Sequence, residues 1–127
     1  MPKFLFEAKY VGAGIEGLLK EGGSSRRAAL DQLFMSLGGT VESFYYAFGE
    51  QDAILIGDLP DNATAAALAL KINVSAAAYC RTVVLMTMQE IDEAVRKTAM
   101  YRPPGISIDE MEVAKWDSEG GHPASQA

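Results

Sequence analysis

The chain predicts an α+β fold: a four-stranded antiparallel sheet with helices on one face, in the order β-α-β-β-α-β, followed by one more helix. Three observations carry this expectation. Lys3 to Tyr10 alternates, with Phe4, Phe6, Ala8 and Tyr10 on one side of an extended chain and Lys3, Glu7 and Lys9 on the other. Ala53-Ile54-Leu55-Ile56 is apolar on both sides, the mark of an interior strand. Between such runs apolar residues recur at the helical interval, as in Leu30, Leu33, Phe34 and Leu37.

Each element has a local reason. After the first strand, Ile15, Leu18 and Leu19 give a short helical piece that Gly22-Gly23 interrupts, so this helical region is expected to break near Gly22. Ser24 or Ser25 is placed to cap the second piece, and Gly38-Gly39 suits a left-handed stop. Thr40 to Phe48 is rich in β-branched and aromatic residues and reads as a strand with Phe44, Tyr46 and Phe48 opposite Val41, Ser43, Tyr45 and Ala47. Gly49-Glu50-Gln51-Asp52 supplies a turn into the third strand, Ala53 to Ile56. Pro60 ends that strand, Asp61 or Asn62 can cap, and Ala65 to Ile72 is dense in good helix formers. Tyr79 to Met86 is a fourth strand, and Thr87-Met88-Gln89-Glu90 is a capping box that opens a helix through about Ala99.

This order is the ferredoxin-like βαββαβ arrangement, assigned to residues 1–100. Because Ile54 and Ile56 point away from Leu55, the sheet face without helices keeps apolar surface. A second copy packing sheet on sheet is the simplest cover, so a homodimer is expected. Pro103-Pro104-Gly105 then ends regular structure, leaving residues 101–127 as an acidic tail. Ile106, Ile108, Met111, Val113 and Trp116 suit part of the tail to docking, with Gly120 onward loosely held.

Composition excludes several classes. With 127 residues, 49% hydrophobic and 22% charged, the chain can bury a core, which excludes disorder throughout. Its apolar runs fall far short of the ~20 residues that span a bilayer, and no basic segment precedes an apolar stretch at the start, so a cytoplasmic protein without membrane contact is expected. A net charge of −6 repels phosphate backbones and argues against nucleic acid. One cysteine, Cys80, and one histidine, His122, leave no internal disulfide, no histidine-based metal site and no Ser-His-Asp or Cys-His nucleophile, and no metal or other cofactor is expected. Cys80 itself reads as an inert, buried thiol.

Several segments in order resemble the GYD-domain family: Met1-Pro2-Lys3-Phe4-Leu5-Phe6, Gly17-Leu18-Leu19-Lys20-Glu21-Gly22-Gly23-Ser24, Arg26-Arg27, Leu37-Gly38-Gly39, Glu42-Ser43-Phe44-Tyr45 and Leu59-Pro60-Asp61-Asn62. The resemblance spans about residues 1 to 97. It implies a dimeric α/β-barrel architecture built from ferredoxin-like subunits, and it implies no particular reaction. At the motif that names the family, Gly49 and Asp52 match, whereas Gln51 stands where the tyrosine would be. In a hairpin, Gly49 can supply positive φ and Asp52 can accept from nearby amides.

Candidate chemistry gathers at two places. Lys20, Gly22, Gly23, Ser24, Arg26 and Arg27 surround a helix start with amides, hydroxyls and cations, a setting that favours a phosphate or carboxylate. The Gly-Lys-Ser/Thr ending of a P-loop is missing, and the plainer reading is an Arg27–Asp31 pair on a capped helix. Tyr10, Tyr45 and Tyr46 are expected on neighbouring strands, where their hydroxyls could meet a guest between sheet and helices or simply pack. Glu7 and Glu42 would gain raised pKa values at an interface and ordinary ones in a salt bridge. The leading expectation is a homodimeric protein that binds a small anionic or aromatic molecule at Tyr10, Tyr45 and the Gly22 to Arg27 segment, or a cofactor-independent enzyme working there. The alternative is a structural or regulatory interaction module acting through its dimer surface and tail, with Trp116 and the acidic stretch meeting a protein partner.

Overall fold

The computed structural model of the chain describes residues 1–107 and 109. The readings for Ile108, Met111, Val113, Trp116 and His122 lie outside the described residues. The elements are β1 (Lys3–Tyr10), α1 (Gly12–Glu21), α2 (Gly23–Ser36), β2 (Thr40–Tyr46), β3 (Ala53–Asp58), α3 (Asn62–Val74), β4 (Ala78–Leu85) and α4 (Met88–Arg96). One compact unit covers Met1–Met88 and a second starts at Gln89. Among the described residues no helix is long and apolar enough to cross a membrane.

The four strands pair antiparallel in the order β2-β3-β1-β4, which is the ferredoxin-like topology. The sheet of one chain is open and does not close into a barrel. Since β3 lies between β1 and β2, Tyr10 and Tyr45 are not on neighbouring strands, contrary to the expectation from sequence.

Alternation decides the inner face. Phe4 and Phe6 of β1 and Ala53 and Leu55 of β3 are buried under α2 and α3. Phe34 of α2 is fully buried, and its ring meets Phe6 edge to face at 5.8 Å and 87°. Leu59, Ala65 and Leu68 complete this core. β2 departs from strict alternation, because the register shifts between Val41 and Ser43. The bulge leaves Glu42 as the extra residue, so Val41 joins Phe44 and Tyr46 on the helix side, opposite Gly57, Leu55 and Ala53. Ser43 and Tyr45 face the other way, opposite Ile56 and Ile54.

That other face carries Leu5, Ile54, Ile56, Val83 and Leu85, each half-buried, with charged residues at its margins. Lys3 Nζ reaches Glu42 at 2.7 Å and Asp58 at 3.0 Å, tying three strands together, so Glu42 takes the salt-bridge reading. β4 is an edge strand, and Asn73 of α3 covers part of it by accepting from the Cys80 amide at 2.7 Å.

The helical region does break at Gly22, whose φ of 79° and ψ of 171° turn the chain between α1 and α2. The Ser24 and Ser25 expectation needs correction: Gly22 occupies the cap position with no side-chain cap bond, and both serines lie inside the first turn. With a single residue joining the helices, α2 starts before either serine is reached. At the other end Gly38, φ 82°, and Gly39 close a Schellman motif, their amides donating to Met35 and Phe34 carbonyls at 3.1 and 2.8 Å. Asp61 caps α3: the Thr64 amide and hydroxyl both donate to its Oδ1, at 2.8 and 2.7 Å. α4 starts at Met88, where the capping box placed it, and ends at Arg96.

Two stability outcomes follow from this geometry. A Cβ at Gly57 would lie 2.5 Å from the Phe34 ring and 2.9 Å from the Thr40 carbonyl oxygen, whereas one at Gly17 meets nothing. Gly57→Ala is expected to cost about 1–3 kcal/mol in denaturant unfolding, and Gly17→Ala, inside α1, to gain roughly 0.5–1 kcal/mol. The Thr64 hydroxyl and then its amide hold the Asp61 carboxyl below its usual 3.8. A lowered folded value makes this contribution complete above pH 3.8 and lost as the pH falls through the lowered value. Asp61→Ala will therefore melt below wild type at neutral pH, and the difference will narrow in melts run under progressively more acid conditions.

Candidate functional site

A cavity of about 140 Å³ opens between the sheet and the helices, at the end of the sheet away from Phe4 and Phe34. Its floor reflects side-chain size. Phe6, Phe44 and Leu55 fill one cross-strand row, while the next row carries Ala53, Ala8 and Cys80 in register. Alanines beside phenylalanines make the floor drop. Tyr10 and Ala78, paired with each other, continue it towards the rim. The roof comes from Arg26, Leu30 and Leu33 of α2, spaced to share one helix face, and from Ile72 of α3. Ser75 and Ala77 of the α3–β4 connection close the side.

Among the described residues Arg26 is the only fully charged one in these walls. Its Nη1 lies 3.8 Å from Glu21 Oε2, beyond hydrogen-bonding distance, so Glu21 attracts the guanidinium without gripping it. Beside it, the Tyr46 hydroxyl donates to the Gly23 carbonyl at 3.1 Å, linking β2 to the start of α2. Burial raises the Tyr46 phenol above its usual 10.0; nearby Tyr10 adds to the rise and Arg26 opposes it. The three side chains thus form one electrostatic group. Burial also pushes the Cys80 thiol up, against an opposing effect of Thr82, which keeps it protonated and a poor nucleophile at neutral pH. The Ser75 hydroxyl is engaged in local backbone bonds, donating to Ile72 at 2.6 Å and accepting from Ala77 at 3.3 Å.

Asp52 fixes the rim. Its Oδ2 accepts from the Tyr10 amide at 2.9 Å, its Oδ1 lies 3.3 Å from Lys9 Nζ, and its own amide donates to the Ala8 carbonyl at 2.9 Å. The aspartate of the turn therefore holds the end of β1, where Tyr10 faces the cavity. Gly49 is not among the residues with positive φ, so it does not play the conformational part expected of it.

The structure brings Tyr10 and Arg26 together at the cavity. Lys20, Gly22, Gly23, Ser24 and Arg27 are not among its walls. Lys20 lies in the last turn of α1, and Arg27 pairs with Asp31 at 3.1 Å. Tyr45 is exposed on the opposite sheet face, because the bulge sets the register of β2; Tyr46 shares the helix side without being among the walls, and Tyr10 is the phenol that lines the cavity. Sequence reasoning did not assign Phe44 and Cys80 to the walls. The legible signal was Ala8 and Ala53, small residues on inner-facing strand positions. Among the described residues no cluster of three or more His, Cys, Asp and Glu could hold a metal ion.

The electrostatic grouping has a measurable consequence. In an ultraviolet titration the Tyr46 phenol will ionise above 10.0, and Tyr46→Phe will remove that step. Arg26→Ala will move the same step to still higher pH, since it removes the cation that favours the phenolate.

No curated protein and no solved structure matches this chain. The family model of the GYD domain matches residues 4–95, a stretch that includes the four described strands apart from Lys3, the described cavity walls and the Asp52 anchor. The chain belongs to the GYD-domain family.

Proposed function

We propose that this GYD-domain protein is a cytoplasmic homodimer that binds a small organic molecule in the cavity of each protomer. The observation that carries this reading is the cavity itself: about 140 Å³ of space inside a domain whose neighbouring core is filled by Phe4, Phe34, Leu59 and Leu68. Natural interiors contain few voids larger than a water molecule, and an apolar one of this size is suited to a guest. Dimerisation is supported by the half-buried Leu5, Ile54, Ile56 and Val83 on the sheet face opposite the cavity. Covering that face with a second copy leaves the cavity on the other side of each sheet.

The walls suit binding better than covalent catalysis. Cys80 is protonated at neutral pH, and the described walls hold no base beside it. A second reading, an interaction module, draws support from α4, where Met88, Ile91 and Val95 form an exposed apolar stripe at helical spacing. Ile91→Glu together with Val95→Glu on α4, if it abolishes capture of one defined protein partner while the cavity is empty, would favour it.

The main reading is tested by titrating small acids and aromatic compounds into isotope-labelled protein and following amide shifts. Shifts are expected at Phe6, Leu30, Phe44 and Cys80, and Ala8→Leu, which fills the floor, will abolish them while leaving the fold intact. If no compound moves these amides at millimolar concentration, the reading is wrong. Sedimentation gives the assembly: wild type is expected as a dimer, Ile56→Arg as a folded monomer, and a monomeric wild type would remove the dimer from the account.

A further inference from the structure

We infer that the guest is a single-ring aromatic monocarboxylate, its ring over the Ala8–Ala53 row beside Phe6 and Phe44 and its carboxylate on Arg26. The inference rests on the binding reading above and specifies its ligand class. Size comes first. A dry cavity of about 150 Å³ in another protein accommodates benzene, and the present cavity is about 140 Å³, so one ring fills it and a fused pair would project from its mouth. The surfaces next to that volume are the rings of Phe6 and Phe44 and the branched side chains of Leu33 and Ile72. They favour a flat, apolar body.

Charge comes next. Among the described residues Arg26 supplies the only full charge in the walls, and no aspartate or glutamate lines them. Glu21, at 3.8 Å, is outside hydrogen-bond reach, so a guest carboxylate can offer the guanidinium the short, paired bonds that Glu21 does not. A phosphate fits less well, since a second negative charge would have to be desolvated beside apolar walls with a single cation to offset it. A neutral ring would leave the guanidinium with its distant partner and forgo the charge-assisted bonds. Tyr10 lies across from Arg26 on the floor towards the rim, where its hydroxyl can donate to the second carboxylate oxygen.

The test compares four probes on the intact wild-type protein by calorimetry: benzoate, benzamide, 2-naphthoate and phenyl phosphate. Benzoate is expected to bind at least tenfold more tightly than each of the others. Benzamide has nearly the same shape without the charge, so equal binding of the two would overturn the carboxylate assignment. Equal or tighter binding of 2-naphthoate would overturn the single-ring limit, and of phenyl phosphate the monoanion preference. Arg26→Lys keeps a cation but loses the planar fork, and is expected to reduce benzoate affinity several-fold; Arg26→Gln should reduce it to that of benzamide. Circular dichroism checks that both variants fold. If benzoate fails while other compounds shift the cavity amides, the ligand class is wrong and the binding reading survives. If nothing binds, both fall.

Discussion

The burial of Phe34 sets the geometry on which the rest of the domain depends. Its ring is fully buried, lies edge to face on Phe6 and covers Gly57, where no side chain could be accommodated. This contact pins the C-terminal half of α2 to the sheet. Towards the N-terminus of α2 the facing strand residues shrink from Phe4 and Phe6 to Ala8, while the helix, being stiff, does not sink to follow them. The cavity is the space left between a straight helix held down at one end and a floor that steps down at the other. Arg26, two turns before Phe34, is thereby held at its mouth.

Much of this was legible in the sequence because it is local. Alternation in β1, the double-sided apolar run of β3, the break at Gly22 and the Asp61 cap are set within a few residues, and each appears where expected. What escaped was non-local. The bulge at Glu42 depends on how β2 registers against β3, and it turns Tyr45, expected at the cavity, away from it, leaving Tyr46 on the helix side. The row of Ala53, Ala8 and Cys80 joins residues distant in sequence, and only strand order reveals that they adjoin. Arg26 was recognisable as part of a cationic segment, but its separation from Lys20 and Arg27 depends on which side of α2 meets the sheet.

Membership of the GYD-domain family gives the hairpin motif a physical reading. Asp52 is placed to satisfy the Tyr10 amide and to keep the end of β1 in line with the turn, a task that depends on its carboxylate and not on the residue before it. A glutamine at position 51 is compatible with that arrangement. The cavity and the apolar sheet face then lie on opposite sides of the same strands, which allows a second copy to cover one without blocking the other.

Whether the space beneath α2 receives a guest is answered by a crystal structure with 4-bromobenzoate, because bromine can be located by its anomalous signal. One bromine peak per protomer is expected over the Ala8–Ala53 row beside Phe6 and Phe44, with the carboxylate at Arg26. A cavity closed by repacked side chains, or a peak found only elsewhere on the protein, would contradict it.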